Sequence, residues 1–167
     1  MLKSLNRRTF LRAAGMTMAL PMLDAMEAKL GAAEKAKATK TTSGLEFVVT
    51  QKGGGKKPAV GTQVYIHYAG FLEDGTLFDS SIEDINKAFG KFDAARAEQH
   101  GYQPIPFQAG KKDGLIPGFI EGIEKLAFGD KAVLFIPSHL AYGEAGAGGV
   151  IPPNANIIFE VQLLEKP

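Results

Sequence analysis

Cysteine is absent from this chain, which excludes a disulfide framework, a thiol nucleophile and any Cys/His zinc cluster. Histidine is scarce too. His67, His100 and His139 stand far apart in the sequence, and each reads as a strand or loop residue rather than a metal ligand. No metal and no cofactor are expected. An excess of one charge is also missing: the formal net charge is +1, and beyond the first 28 residues, which hold four basic and two acidic side chains, 15 basic residues face 16 acidic ones. That balance offers nothing to nucleic acid. Neither a G-x-S-x-G elbow nor a phosphate-binding glycine loop occurs, so nucleophilic and nucleotide chemistry have no obvious seat.

What is present fits a soluble chain with one core: 167 residues, 45% hydrophobic and 22% charged. The N-terminus reads as an address. In "NRRTFLRAAGMTMALPMLDAMEA", Arg7 and Arg8 precede Phe10 and Leu11 and a mildly apolar run from Ala13 to Leu23, broken by Gly15 and Pro21. That run is too short to span a bilayer comfortably. Residues 1–28 resemble a bacterial twin-arginine export signal, with Asn6 where Ser or Thr is more usual, and suit an amphipathic helix of the fold less well. Cleavage of the segment and its retention as a membrane anchor both stay open. Residues 29–43, "KLGAAEKAKATKTTS", are Ala, Lys and Thr with almost nothing apolar to bury, and read as a flexible linker.

From Gly44 onward the pattern is that of strands. "LEFVVTQKG" is a first one; in "TQVYIHYAGFLEDGTLFDSS", Val64, Ile66 and Tyr68 alternate with Gln63, Tyr65 and His67 before the Asp74-Gly75 hairpin signal. At Ser81 the period changes. Ile82, Ile85, Phe89 and Phe92 fall at helical steps, with Ser81 and Asp84 as a variant capping box, His100-Gly101 as an end and Gly90 as a place to break. A short strand around Phe107 leads to a helix with Pro117 in its first turn, a stripe of Phe119, Ile120, Ile123 and Leu126 or Ala127, and Gly129 as its stop. "KAVLFI" and "NIIFEVQLLE" close the chain, the latter with Ile157, Phe159, Val161 and Leu163 on one face. One substantial helix among five to six strands, without βαβ alternation, predicts an α+β domain with an antiparallel sheet curled over that helix.

Between the last two strands lie residues 137–156, a loop with four glycines, three prolines and one tyrosine. Connections in compact domains usually take about 4–6 residues, so a loop this long is either a plain surface excursion or functional.

The stretches "VYIHYAGFLEDGTLFDSS", "GLIPGFIEGIEKLAFGDKAVLFIPSHLAYGEAG" and "GVIPPNANIIFEVQLL" resemble the FKBP-type peptidyl-prolyl cis-trans isomerases, in order and over about residues 44–167, apart from an insertion at 82–102. The resemblance implies a half-barrel-like sheet wrapped on the helix that begins near Pro117, with a substrate proline held among Tyr68, Phe78, Phe107, Leu115, Ile116, Phe119 and Phe159. It implies that Asp79 is the pocket's carboxylate, oriented by Tyr68, and that the Ile116 N–H meets a substrate carbonyl. The long loop becomes a flap that brings Tyr142 and Ile151 into the pocket, with the Tyr142 hydroxyl as a further donor. Phe119 departs from the family, which commonly has tryptophan at the pocket floor. The expected partners are proline-containing polypeptides, with the family's macrolide inhibitors as further candidates. An exported, periplasmic monomeric isomerase is the leading expectation. A peptide-binding chaperone with little turnover is the alternative, and the insertion is either a surface helix or a substrate-gripping rim beside the pocket mouth.

Overall fold

A computed structural model describes residues 35–167; the export-like segment 1–28 and the start of the expected linker lie outside the described residues. Ten elements follow in order. They are β1 (Thr39–Lys40), β2 (Glu46–Gln51), β3 (Gln63–Leu72), β4 (Leu77–Ser80), α1 (Glu83–Ala88), α2 (Ala94–Glu98), β5 (Ile105–Gln108), α3 (Pro117–Ile123), β6 (Lys131–Ile136) and β7 (Ile157–Leu164). The strands form one seven-stranded sheet in the order β1-β2-β6-β7-β3-β4, with β5 paired to the first half of β3, and every pairing is antiparallel.

The expected five to six strands therefore become seven. The addition at the edge is β1, two residues drawn from the segment read as linker, where Thr39 pairs with Phe47 and Lys40 with Glu46. Backbone bonds hold it in place, and the turn into β2 is closed by the Thr41 N–H donating to the Leu45 carbonyl at 2.8 Å. A polar two-residue strand leaves no side-chain period to detect.

Period-2 alternation divides the sheet into two buried faces. On the inner face Val64 and Ile66 of β3, Leu134 and Ile136 of β6, and Ile157, Phe159, Val161 and Leu163 of β7 pack against α3. Strand β6 is buried along its whole length, because Val133 and Phe135 point to a second, smaller core on the outer face. Helix α3 comes unusually close to the sheet. A Cβ on Gly118 would lie 2.4 Å from the Ile136 side chain, and one on Gly122 would lie 2.4 Å from that of Leu134, so glycine at these steps permits the approach. Pro117 sits in the first turn after an extended Ile116 (φ −62, ψ 144), as the residue before proline prefers. The helix is shorter than its apolar stripe suggested: beyond Ile123 the chain tightens, with Lys125 bonding to Gly122 and Leu126 to Ile123, although Leu126 remains buried.

The insertion breaks at Gly90, as the sequence allowed, but its capping and the placement of its parts differ from expectation. It forms two short helices, with Gly90 between them in the left-handed region at φ 68. Ser81 does not cap α1. Its hydroxyl instead accepts from the Tyr68 N–H at 2.9 Å and pairs with His67 Nδ1 at 3.0 Å, which leaves Ile82 at the N-cap without a side-chain bond. Helix α1 lies behind the sheet rather than at the pocket mouth, and Ile85 and Phe89 cover Phe71 and Leu77 in the outer core. Phe92, three residues past Phe89, is 42% exposed and belongs to neither core. Helix α2 is capped by Asp93, which accepts from the Arg96 N–H at 3.0 Å.

Candidate functional site

A cleft of about 640 Å³ opens between the inner face of the sheet, the start of α3 and the loop after β6. Its size lies within the usual range for ligand pockets, about 300–1,000 Å³. Four aromatic rings form its wall. Phe159 of β7 is the hub, edge-to-face with Phe119 at 4.9 Å, Phe78 at 5.5 Å and Tyr68 at 5.9 Å between centroids. Phe119 also meets Tyr68 edge-on at 6.3 Å, so the smaller ring standing at this position still closes the box. Edge-to-face packing of this kind holds each ring in place beyond simple burial.

The strand register explains the convergence. Tyr68 and Gly70 are inward positions of β3; Gly70 stands opposite Asp79 on β4 and opposite Phe159 on β7. Asp79 thus emerges at the rim, and both of its oxygens are engaged. The Tyr68 hydroxyl donates to Oδ2 at 2.5 Å, and Arg96 Nη1 of α2 donates to Oδ1 at 2.7 Å. Burial, then the bond to and charge of Asp79, push the Tyr68 hydroxyl above its ordinary value. Burial works against the Arg96 charge, but the bond to Asp79 outweighs it and the guanidinium is held above its usual range. Burial and the nearby Asp79 charge likewise raise Tyr142. Both tyrosines consequently remain O–H donors at neutral pH.

Leu115, Ile116 and Pro117 form the floor at the N-terminus of α3. Amides at the start of a helix have no intrahelical acceptor, and this leaves the Ile116 N–H suited to bond an incoming carbonyl. The loop over the cleft is tied to itself: Ala147 and Ile151 exchange backbone bonds at 3.0 and 2.9 Å, and the Asn154 N–H donates to the Gly143 carbonyl at 2.8 Å. Among the described residues no group of three or more potential ligands is placed to hold a metal.

Of the residues predicted from sequence, Tyr68, Phe78, Asp79, Leu115, Ile116, Phe119, Tyr142 and Phe159 line this one cleft. Phe107 and Ile151 do not. Phe107 is buried in the inner core and borders a separate, smaller cavity, while Ile105, two residues earlier on the same face of β5, occupies the position expected of it. Ile151 turns into the inner core beneath the loop. Sequence reasoning also missed Gly114, Pro117 and above all Arg96. Nothing around Arg96 in the sequence marks it, because only the folded insertion brings it to Asp79.

Residues 54–164 match the family model described as FKBP-type peptidyl-prolyl cis-trans isomerase. This chain belongs to that family. It is 43% identical over 133 residues to the FKBP-type 22 kDa peptidyl-prolyl cis-trans isomerase of Escherichia coli, covering 80% of this chain and 55% of that protein. It is 39% identical over 121 residues to FK506-binding protein 1 of Dictyostelium discoideum, covering 72% of this chain and 96% of that one. Among solved structures, FkpA from E. coli superposes with a TM-score of 0.60 at 30% identity, over 94% of this chain and 62% of FkpA. AtFKBP13 gives 0.58 at 30% identity, over 75% of this chain and 94% of that one. The chain thus spans only about half the length of the first of these relatives, while the smaller ones are matched nearly whole. The sheet on its short helix is accordingly an FKBP-like fold.

Proposed function

We propose that the protein accelerates cis-trans isomerisation of X-Pro bonds in polypeptides, with the proline ring in the box of Tyr68, Phe78, Phe119 and Phe159. One observation carries this reading: an aromatic cleft whose rim holds a carboxylate bonded at both oxygens together with the hydroxyl of Tyr142. That is what the reaction needs. Twisting the C–N bond sacrifices amide resonance against a barrier of about 18–20 kcal/mol, and no bond is cleaved. A catalyst must bind the twisted amide more tightly than either planar form. Apolar walls help because the planar amide has more charge separation and loses more on leaving water. The Tyr142 O–H and the Ile116 N–H serve as donors aimed at the carbonyl in its twisted geometry. Asp79, bonded at both oxygens, acts through its charge and by fixing Tyr68 at the pocket wall.

Residues 1–28 are read as an export signal, so that the domain works on proteins outside the cytoplasm; the paired arginines Arg7 and Arg8 support this. FK506, the macrolide from which the Dictyostelium relative takes its name, is a candidate competitor for the cleft.

The test is a protease-coupled or NMR-exchange assay on X-Pro tetrapeptides with the chain and its Tyr142→Phe and Asp79→Ala variants. Turnover that both substitutions reduce is expected. Folded protein with no turnover would leave a peptide-binding chaperone, and variants with unchanged kcat/KM would overturn the assigned roles.

A further inference from the structure

Among the described residues, the large apolar side chains left exposed are Val60, Phe92 and Val150. One of them, Phe92, belongs to the insertion that also brings Arg96 to the Asp79 carboxylate at the rim of the cleft. Phe92 is not loose. Its ring stacks on that of Tyr102 at 6.0 Å and 17° between planes, and Lys87 Nζ sits 5.0 Å from its centroid. Tyr102 is fixed in turn, since its oxygen accepts from the Asp93 N–H at 2.8 Å and the Arg96 guanidinium lies 4.5 Å from its ring. The same guanidinium donates to the Gly101 carbonyl at 3.0 Å and to Asp79 at 2.7 Å. A path of contacts therefore runs from the rim of the cleft to the Phe92 ring, which is 42% exposed beside the Lys87 ammonium.

An isolated stack of this sort could merely close a surface loop. Two features argue otherwise. The stack leaves Phe92 42% exposed rather than turning it onto the sheet, where Phe89 at the end of α1 is already packed. It is also continuous with the cleft through the side chain that engages the cleft's carboxylate. Contacts of 2.7, 4.5 and 6.0 Å link Asp79 to Phe92 through Arg96 and Tyr102, so the Phe92 ring lies at most about four residues of extended peptide, at ~3.3 Å per residue, from the Asp79 carboxylate.

We propose that Phe92 and Tyr102 form an aromatic ledge that binds a large apolar side chain of the client polypeptide within about four residues of the proline held in the cleft. This rests on the reading of the cleft as a proline site and adds a substrate class to it: extended segments, such as those of unfolded chains, in which an aromatic or large aliphatic residue accompanies the proline. Flat aromatic surfaces suit such a role because they offer a large contact area with few torsions to freeze.

The experiment is an NMR titration with alanine-based peptides, each holding one proline, in which a single phenylalanine is moved through the positions two to four residues to either side. The expected result is that at least one placement binds several-fold more tightly than the all-alanine reference. That gain falls to one in Phe92→Ala but persists in Val60→Ala, which removes a still more exposed apolar group outside the cleft. Phe92→Leu, which keeps the apolar character but not the flat ring, retains part of the gain. A gain that survives Phe92→Ala, or no gain at any placement while the reference still binds, overturns the ledge alone. A folded protein that binds none of the proline peptides overturns the reading of the cleft, and the ledge with it.

Discussion

Replacing Gly70 by alanine tests the link between the sheet and the cleft directly. Gly70 does not occupy the left-handed region, so its backbone accepts alanine and the consequence is steric. A Cβ there would lie 2.5 and 2.6 Å from two ring atoms of Phe78 and 2.8 Å from Phe159. Carbon contacts settle at about 3.5–4.0 Å, so each ring must retreat by roughly 1 Å. Phe159 cannot move alone, being packed edge-on against Phe119 and Tyr68 as well. Overpacking of this kind typically costs about 1–3 kcal/mol. For a domain of this size each kcal/mol lowers Tm by roughly 3–5 °C, which gives a fall of ~3–15 °C by circular dichroism. Activity assayed in the cold, where the variant is folded, should drop further than stability implies. Misplacing a binding wall by about 1 Å can cost as much as 100-fold, and we expect kcat/KM to fall on the order of 10–100-fold. Leu134→Ala is the control, because it empties the inner core beneath α3 without forming a cleft wall. If Gly70→Ala lost no more activity than Leu134→Ala at equal loss of Tm, the aromatic box would not be the substrate site.

Three further outcomes are expected. Arg96→Met removes a partly exposed ion pair, so stability should change by only about 0–1 kcal/mol, while kcat/KM falls several-fold and Arg96→Lys recovers part of it; an unchanged kcat/KM would detach the insertion from catalysis. Asp130 is buried, and although burial pushes its carboxyl up, the N–H groups of Gly53 (2.8 Å) and Ala127 (3.1 Å) together with Lys52 hold it below its ordinary value. Its stabilisation is therefore present above the unfolded value of 3.8 and lost as pH falls through the lower folded value, so urea melts of wild type and Asp130→Ala should converge in acid and differ by about 1.5–3 kcal/mol at neutral pH; a gap independent of pH would refute this. Glu160 is the opposite case: burial raises it well above its ordinary value despite the charge of Lys131, so its contribution declines as pH climbs from 4.5 toward the raised value, and the stability of Glu160→Gln relative to wild type should improve over that range, whereas parallel curves would contradict the assignment.

The parts of the site that were legible in sequence are those set by strand period and helix stripe. Val64, Ile66 and Tyr68, or Ile157 and Phe159, share a face because alternate residues must, and Asp74-Gly75 marks a turn in which Asp74 accepts from the Thr76 N–H at 2.9 Å. Period alone does not say where along a face the cleft ends. Ile105 and Phe107 are both apolar and both inward, so only the packed structure assigns the first to the cleft and the second to the core. Gly90 marks where the insertion breaks, but the helical spacing of Ile82, Ile85, Phe89 and Phe92 cannot reveal that Phe92 is sent elsewhere. Arg96 meets Asp79 across 17 residues of sequence, through a geometry no local pattern encodes.

The misplacing of Phe92 and the missing of Arg96 share a cause that bears on how the insertion should be understood. A sheet buried on one face needs nothing behind it, but β6 places Val133 and Phe135 on the outer face, where β3 and β4 add Ala69, Phe71 and Leu77. Something apolar must cover them, and Ile85 of α1 and Phe89 at its C-cap do so, with Phe89 edge-on to Phe71 at 5.4 Å. Once α1 is anchored behind the sheet, the chain has to return past the edge of β4 to reach β5, and that return carries α2 to the end of β4, where Asp79 stands. The contact of Arg96 with the cleft is thus a consequence of the outer core as much as of the pocket. Excising the whole insertion would strip both together, which is why single substitutions at Arg96 and Phe92 can separate a catalytic contribution from a structural one where a deletion cannot.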